Sequence, residues 1–203
     1  DAYKKVEETF EKSRPAIEAG LSEDETSLLR EANFLTLKPF LYIFNVNEGD
    51  VTRHSEEMIE KYDLGDLVSP ESATIICART ESEVNNLPEG DREEYLHDLG
   101  LQEPGLNRLI RSAYSTLGLI SFFTAGPMEA RAWEIKQGTK APQAAGVIHG
   151  DFEHKFIKAE VVKYDSFVEL KGWKGAKDAG RAKLEGKEYV VQDGDVMYFH
   201  HGK

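Results

Sequence analysis

A polar loop, Asn45-Val46-Asn47-Glu48, has side chains whose types and position suggest ligand chemistry. The residues before it, 39–44, are rich in aromatic and β-branched side chains and predict a buried strand of a parallel sheet. Ligands of open α/β sheets bind beyond the carboxyl ends of the strands. The amides and the carboxylate of this loop are therefore candidates for hydrogen bonds to a nucleotide or another substrate. A strand followed by an ordinary hydrophilic turn is the alternative.

The single cysteine, Cys77, lies in a second short apolar run, residues 72–78, which predicts another buried strand. A thiol could act as a nucleophile, but no histidine lies near it in sequence to activate it. Free cysteines are commonly buried. We therefore expect Cys77 to be a core residue, and we assign no catalytic residue in this chain.

Four potential metal ligands lie close together in sequence: His149, Asp151, Glu153 and His154. The two histidines are five positions apart, which does not match the i, i+4 spacing that places two ligands on one helical face. A polar corner after a helix, or a recognition surface, explains the cluster better. We predict no metal site here.

A basic segment near the C-terminus contains one tryptophan. An aromatic ring among cations could stack a base and hold phosphates, as in single-stranded nucleic-acid sites. The alternative is a solvated helix with mixed charges. The candidate RNA-binding residues of this basic segment are Lys171, Trp173, Lys174, Lys177 and Arg181.

The charge is unevenly distributed. The formal net charge of −12 argues against indiscriminate nucleic-acid binding, and nothing indicates DNA specificity. Residues 1–129 hold 12 Lys and Arg against 26 Asp and Glu, a net of −14, whereas residues 130–203 hold 13 against 11, a net of +2. The change makes Gly126-Pro127 a candidate domain boundary and favours the second part for RNA contacts.

Composition also indicates the cellular compartment. A single cysteine rules out an internal disulfide framework and suits a reducing cytosol, so we expect a cytoplasmic protein. No apolar run approaches the ~20 residues needed to cross a bilayer, so no membrane partner is predicted. The first residues, 1–5, include neither an initiator methionine nor a signal-peptide pattern.

The first part of the chain alternates helical and strand patterns. Pro15 should interrupt the opening helix. The capping box Ser22-Glu23-Asp24-Glu25 predicts a second helix over about residues 23–32. Apolar residues recur at helical spacing from Leu106 to Leu117, which predicts an amphipathic helix whose apolar stripe is packed on the sheet as core.

From Leu119 the apolar period changes to two. Strand patterns on either side of Gly126-Pro127 predict a hairpin, and Thr139 is a plausible cap for a helix that runs to about His149. Two hairpins around one helix make a β-grasp domain. The further strands are expected at residues 159–162, 167–170, 188–191 and 196–199.

Many segments, in order along the chain, resemble the YchF/Obg-like ATPase family. The segment Leu35-Thr36-Leu37-Lys38-Pro39, followed by a strand and Asn45-Val46-Asn47-Glu48, is similar to the family's base-reading region. The second half resembles the family's TGS domain over its whole length. Its matching segments are Arg131-Ala132-Trp133 and residues 144–149, 151–153, 156–161 and 193–196.

The resemblance implies an α/β fold: the C-terminal part of a P-loop G domain with a helical insertion, followed by a β-grasp (TGS) domain. Residues 1–33 would be the end of the α-helical insertion. Residues 34–118 would be the C-terminal part of the G domain, and residues 119–203 the TGS domain. Because TGS domains of relatives occur beside RNA and ribosome functions, the ribosome or its RNA is the implied partner.

The resemblance also implies the nucleotide. In the family, the tetrad at 45–48 replaces the Asn-Lys-x-Asp motif of ordinary GTPases. Guanine offers N1–H and N2–H₂ to a carboxylate, whereas adenine offers N6–H₂ and has no N1–H. With Val46 in place of Lys and Glu48 in place of Asp, the guanine clamp is altered. The resemblance implies a preference for adenine, with Asn45, Val46 and Asn47 lining the base. Use of GTP remains an alternative because Asn45 is retained.

A second base-contacting loop is implied at Cys77-Ala78-Arg79, the counterpart of the Ser-Ala-Lys loop of GTPases, whose backbone N–H groups touch the base. The sequence contains no Gly-x-x-x-x-Gly-Lys-Ser/Thr motif and no Asp-x-x-Gly after a strand. Candidates for the phosphate cradle and the Mg²⁺ ligands are therefore expected in a preceding segment of the parent protein.

We therefore predict that the parent binds Mg-ATP and hydrolyses it slowly as a molecular switch at the ribosome, and that this chain alone is inactive. One alternative is a TGS-based RNA or protein adaptor in which nucleotide binding is only regulatory. Another is an ordinary GTP-binding protein. The oligomeric state is not predicted.

Overall fold

The computed structural model describes residues 2–127 and 129–202; Asp1, Met128 and Lys203, which fall inside the predicted domain ranges, lie outside the described residues. The chain divides into two compact units, residues 1–117 and 118–203. The candidate boundary at Gly126-Pro127 is wrong, because these residues lie between the two strands of a hairpin in the second unit. Residues 118–129 contain a single charged side chain, Glu129, so the charge profile could not locate the boundary within them.

The first unit contains six helices and two strands within its described residues, joined partly by 3₁₀ turns. They are α1 (Ala2–Glu11), α2 (Glu23–Leu28), β1 (Tyr42–Asn45), α3 (Ser55–Lys61), β2 (Ala73–Ile76), α4 (Ala78–Asn86), α5 (Glu89–Asp98) and α6 (Gly105–Leu117).

The opening helical segment follows its sequence signals closely. A 3₁₀ turn begins directly after Pro15, and the predicted capping box at α2 is confirmed. The Ser22 N–H donates to the Glu25 carboxylate at 2.9 Å, and the Glu25 N–H donates to the Ser22 hydroxyl at 3.2 Å. However, α2 ends at Leu28, earlier than predicted. The chain tightens into a 3₁₀ turn there, and the next residue, Leu29, is fully buried in the small core of this segment.

The two strands β1 and β2 are parallel and in register from Tyr42 opposite Ala73 to Asn45 opposite Ile76. Their carboxyl ends therefore lie at the same edge of the sheet. Helix α6 packs on β2, as its amphipathic pattern predicts. The prediction that its whole apolar stripe is core is wrong, because Leu106 and Ile110 are 44% and 47% exposed. Two short strands are too narrow to cover the stripe.

The second unit is a five-stranded mixed sheet with helices. Its elements are β3 (Leu119–Ala125), β4 (Ala130–Lys136), α7 (Ala141–Ile148), α8 (Gly150–His154), β5 (Phe156–Lys163), α9 (Tyr164–Glu169), α10 (Trp173–Asp178), β6 (Lys183–Glu185) and β7 (Asp195–His201). The strand order is β4-β3-β7-β5-β6; β3 and β7 are parallel and the other neighbours antiparallel.

Helix α7 supplies small side chains to the core of the second unit, which lets it approach the sheet closely. Ala141, Ala144 and Ala145 are all fully buried against a core that includes Phe122 and Met197. The predicted β-grasp fold is present as a mixed sheet around one core helix, but of the two predicted hairpins only the first, β3–β4, forms among the described residues. The helix begins one residue later than expected: Lys140 is its N-cap, and the Thr139 hydroxyl donates instead to the Lys136 carbonyl at 2.6 Å.

Two predicted strands of the second unit are wrong. Residues 167–170 belong mostly to α9, where the Phe167 ring packs edge-on against Trp173. Residues 188–191 make only an isolated bridge, Lys140 to Val190, because they lie beside the start of α7 rather than beside a strand. The short strand β6, which has no clear alternation, was not predicted. None of the helices in residues 2–127 and 129–202 is long and apolar enough to span a membrane.

Candidate functional site

The two predicted base-contacting loops meet at the carboxyl ends of β1 and β2. The Val46 N–H donates to the Ile76 carbonyl at 2.9 Å and extends the parallel ladder by one residue. Beyond it, the Ala78 N–H donates to the Asn45 side-chain oxygen Oδ1 at 3.1 Å. Residues 33 positions apart are thus joined by a hydrogen bond at the sheet edge where ligands of α/β folds bind.

This hydrogen bond orients the Asn45 amide. Because its oxygen accepts from the Ala78 N–H, the amide NH₂ group (Nδ2) is left to donate to a ligand. Asn45, Asn47 and Glu48 are exposed. Asn47 has extended backbone angles (φ −75°, ψ 161°), and Glu48 begins a 3₁₀ turn that folds the loop back towards α3. The loop therefore presents amide and carboxylate groups to solvent beside Ala78.

Val46 and Cys77 have a different role from the polar residues beside them. Val46 is half-buried and packs against a core cluster that includes Cys77, Val84 and Leu96. The Cys77 side chain is only 3% exposed. The expectation that Cys77 is a core residue is therefore met, and any contact between this residue and a base would involve its backbone.

Arg79 is the exposed cation of the second loop, and two residues that sequence reasoning missed hold it. Its Nε donates to the Glu83 carboxylate at 2.9 Å, and the Tyr95 hydroxyl donates to the other oxygen of Glu83. The hydrogen bond to Glu83 raises the pKa of Tyr95 to about 12. Tyr95 first and then Arg79 lower the pKa of Glu83. The hydrogen bond to Glu83, together with the field of Glu48, raises the pKa of Arg79.

The i, i+4 spacing of Arg79 and Glu83 on a helix was a readable signal. Tyr95 had none, since it reaches Glu83 from a different helix, α5. Arg79 is therefore held by Glu83 at the edge where the two predicted base-contacting loops meet.

Glu81 connects the second loop to helix α6. Its two carboxylate oxygens accept from the Gly105 and Leu106 N–H groups at 2.7 and 3.1 Å, so it caps the N-terminus of α6 from outside that helix. A Cβ atom on Gly105 would lie 2.8 Å from the Glu81 carboxylate, so a larger residue there would require the end of the Glu81 side chain to shift. The cap fixes the start of α4, and with it the loop at Ala78, relative to α6.

The basic segment of the second unit is arranged around α10. Trp173 is half-buried: its indole N–H donates to the Ala125 carbonyl at 2.7 Å, and its ring packs edge-on against Phe167 and Tyr198. Lys177 forms an ion pair with Glu160 at 2.6 Å. Lys171, Lys174 and Arg181 are exposed. Much of the Trp173 ring is therefore used in packing, whereas the side chains of the exposed cations are not packed in this way.

The cluster around His149 forms a polar corner between two helices. The His149 ring nitrogen Nδ1 accepts from the Asp151 N–H at 3.2 Å and caps α8. Among residues 2–127 and 129–202, no group of three or more His, Cys, Asp and Glu side chains is arranged to hold a metal ion.

Parallel strands with paired polar loops at their carboxyl ends, followed by a β-grasp sheet, define the class of protein: the C-terminal part of a P-loop G domain joined to a β-grasp domain. A family model described as YchF-GTPase_C, "Protein of unknown function (DUF933)", matches residues 119–202.

Two curated relatives and one solved structure are similar over nearly all of the chain. The "Ribosome-binding ATPase YchF" of Bacillus subtilis is 46% identical over 96% of this chain and 54% of its own length. The "Obg-like ATPase 1" of Pongo abelii is 40% identical over 88% of this chain and 45% of its own length. The structure of the Schizosaccharomyces pombe YchF GTPase matches with a TM-score of 0.80 and 32% identity, over 98% of this chain and 53% of that one.

The chain belongs to the YchF/Obg-like ATPase family. It spans about half the length of the curated relatives it matches.

Proposed function

We propose that the first unit recognises the base of a purine nucleotide, with ATP preferred over GTP, as part of a slow, ribosome-associated ATPase. The observation that carries this proposal is the hydrogen bond from the Ala78 N–H to Asn45 Oδ1, at 3.1 Å. It joins the two loops at the carboxyl ends of the strands and leaves the amide NH₂ group of Asn45 as a donor. Purine N7 is an acceptor in both adenine and guanine, so Asn45 would recognise either base.

The same hydrogen bond supports the adenine preference. The Ala78 N–H already donates to Asn45, so the guanine O6, an acceptor, would have to compete for it. Adenine carries a donor at the equivalent position, N6–H₂, and does not need that N–H. Val46 is half-buried against the core cluster, and Glu48 replaces the shorter Asp of the guanine-type motif. Each of these features weakens the binding of guanine without weakening the binding of adenine.

Arg79 is proposed to cover one face of the base. A guanidinium can stack on a purine ring, and this one is held near the strand edge by Glu83. Its side chain is 82% exposed, so it can lie against a ligand without first leaving the core.

The remainder of the nucleotide site is proposed to come from the part of the family's length that this chain does not span. Parallel sheets are normally covered on both faces. Here Ile43 of β1 and Leu106 and Ile110 of α6 are 44–47% exposed, which is consistent with further G-domain strands packing there. The phosphate-binding loop and the Mg²⁺ ligands would lie in that part, and residues 1–203 alone would not hydrolyse ATP.

The second unit is proposed to be a TGS domain that contacts the ribosome or its RNA in the cytoplasm. The Bacillus relative's name includes ribosome binding, and the second unit is far less acidic than the first. Residues 118–203 hold 13 Lys and Arg against 12 Asp and Glu, whereas residues 1–117 hold 12 against 25. That difference favours the adaptor function as the second candidate, in which this unit binds RNA and the nucleotide only regulates it.

The test is calorimetric titration of Mg-ATP and Mg-GTP, side by side, into a polypeptide of full family length that contains these residues. Tighter ATP binding supports the proposal, and tighter GTP binding would assign the protein to the ordinary GTPases. If neither nucleotide binds, the nucleotide proposal is wrong and the adaptor function stands alone. ATP turnover by residues 1–203, free of contaminating enzymes, would contradict the proposed division of the site.

A further inference from the structure

A groove of about 330 Å³ lies at one end of the second unit's core, and none of the basic-segment residues lines it. We propose that this groove binds a base and the adjoining phosphate of single-stranded RNA. The side chains that carry the argument are Arg131, Trp133, Phe152, Met197, Phe199 and His201.

One wall is an indole whose orientation is fixed. The Trp133 N–H donates to the Thr124 hydroxyl at 2.9 Å, which holds the ring in one plane. The Arg131 guanidinium carbon lies 4.2 Å from the centre of that ring, so the cation is held at the same wall. The described residues place no carboxylate at ion-pair distance from Arg131, so its charge is available to an anionic ligand.

The other wall is also aromatic. The rings of Phe152 and His201 are stacked with centres 4.1 Å apart and planes 19° apart. The floor is apolar: Met197 and Phe199 are 1% and 9% exposed and belong to the core. Glu129, at the rim, adds a carboxylate that can accept from the amino group of a base. Both walls thus offer ring surfaces, and the rim offers one cation and one acceptor.

A nucleotide fits this combination better than an apolar peptide side chain does. Ligand pockets have volumes of about 300–1,000 Å³, so the groove is large enough for a base. Single-stranded bases stack on aromatic rings and on arginine planes, and their phosphates need cations. An apolar side chain would use the floor but would leave Arg131 without a partner. This inference rests on the proposed RNA contact of the second unit and is independent of nucleotide binding by the first.

The experiment uses the 203-residue chain carrying Trp173→Phe, which leaves Trp133 as the only tryptophan because the chain has two. A hexamer of riboadenosine is titrated at low salt while Trp133 fluorescence is followed, and an abasic hexamer with the same phosphates is titrated in parallel. If bases stack in the groove, the riboadenosine hexamer should quench the fluorescence of Trp133. Because base stacking contributes at least about fivefold to affinity, the abasic hexamer should bind correspondingly more weakly.

Arg131→Ala tests the cation. Arg131 is exposed on the edge strand β4, so the change leaves the core intact, and circular dichroism checks the fold. We expect RNA affinity to fall about fivefold to tenfold, with Arg131→Lys restoring part of it. Lys187→Ala removes the same charge from an exposed loop and should change affinity by less than about twofold. Unequal losses in these two variants are the signature of a specific groove.

Three results would overturn the proposal. The first is equal binding of the abasic hexamer, which would mean that phosphates alone are recognised. The second is RNA binding that survives Arg131→Ala but is lost with Lys174→Ala, which would place the RNA on the basic segment. The third is binding of no RNA together with a loss of ribosome binding in Arg131→Ala, which would make the groove a protein contact.

Discussion

The two units bury their apolar side chains in different ways. The second unit has one core of eleven buried residues beneath a five-stranded sheet, whereas the first has separate clusters of five, four and three. The first unit also exposes much of the apolar face of α6. The second unit is therefore expected to be stable by its own packing, and the first to gain stability from whatever covers its sheet. The candidate base site lies in the unit with less packing.

The largest effect should come from the core of the second unit. Phe122 is fully buried, so Phe122→Ala should lower the free energy of unfolding by about 3–5 kcal/mol. Both tryptophans, Trp133 and Trp173, lie in this unit, so denaturation followed by tryptophan fluorescence reports on it specifically. Ile157→Ala, at a side chain 58% exposed, is the control and should cost less than about 0.5 kcal/mol. Equal losses would show that the second unit has no dominant core.

The next effect concerns the buried carboxylate of Asp195, which is 0% exposed. It accepts from the Tyr189 hydroxyl at 2.7 Å and the Gln192 N–H at 2.9 Å, and pairs with Lys163 at 2.8 Å. Asp195→Ala leaves these groups without their partner and should cost about 3 kcal/mol in the same fluorescence assay. Asp178→Ala, at an exposed position, should change stability by less than about 0.5 kcal/mol. A cost below that of the control would mean that the network contributes specificity but no stability.

At the candidate base site of the first unit, the expected effects are on binding rather than folding. Asn45→Ala in a polypeptide of full family length should weaken ATP binding by about tenfold, or ~1.4 kcal/mol, because the donor to purine N7 is lost. GTP binding should weaken less, because the change also releases the Ala78 N–H for guanine O6. Calorimetry measures both constants. Unchanged binding of both nucleotides would contradict the assignment of Asn45 to N7.

The double change Val46→Lys with Glu48→Asp restores the guanine-type motif. We expect the ATP/GTP preference to shift towards GTP by about tenfold, with the same calorimetric readout. Val46→Lys also removes an apolar side chain packed on the core cluster, so thermal unfolding must accompany the titration. If the folded double variant keeps the original preference, the account of the tetrad is wrong.

A smaller effect is expected at the cap of α6. Glu81→Ala removes the carboxylate that accepts from the Gly105 and Leu106 N–H groups, and should cost about 1 kcal/mol. The measurement is circular dichroism during denaturation, since the first unit has no tryptophan. Glu93→Ala removes the same charge from an exposed position on α5 and should be nearly neutral. Equal effects of the two variants would mean that Glu81 acts only through its charge and not as a helix cap.

The smallest effect is on pH dependence, at Glu160 in the second unit. Burial raises the pKa of Glu160, but its hydrogen bonds with Lys177 and His200 outweigh burial and hold that pKa below its ordinary value of 4.5. The resulting stabilisation is present above the unfolded-state pKa and is lost as pH falls through the lower folded-state pKa. Glu160→Gln should therefore be less stable than the parent at pH 7, and the difference should shrink below about pH 4.5. A difference that is independent of pH would show that Glu160 acts by packing alone.

Local signals predicted the parts of the fold that depend on neighbours in sequence. The Ser22 capping box, the break at Pro15 and the hairpin β3–β4 are each governed by residues within a few positions of one another. Strand patterns also located β1 and β2, and so the loops that follow them. The strand predicted at residues 167–170 is wrong because a short, mainly apolar run such as Phe-Val-Glu-Leu fits a strand and a short helix equally well, and packing against Trp173 favours the helix.

By itself, the sequence determined the family, the chemical nature of the loop at Asn45 and the placement of Cys77 in the core, because residue types and local order are enough for each. Only the tertiary structure decided that Ala78 donates to Asn45, that Tyr95 reaches Glu83 to hold Arg79, and that Arg131, Trp133, Phe152 and His201 line one groove. These contacts join residues from different elements, and their distances depend on how strands and helices pack rather than on any spacing along the chain.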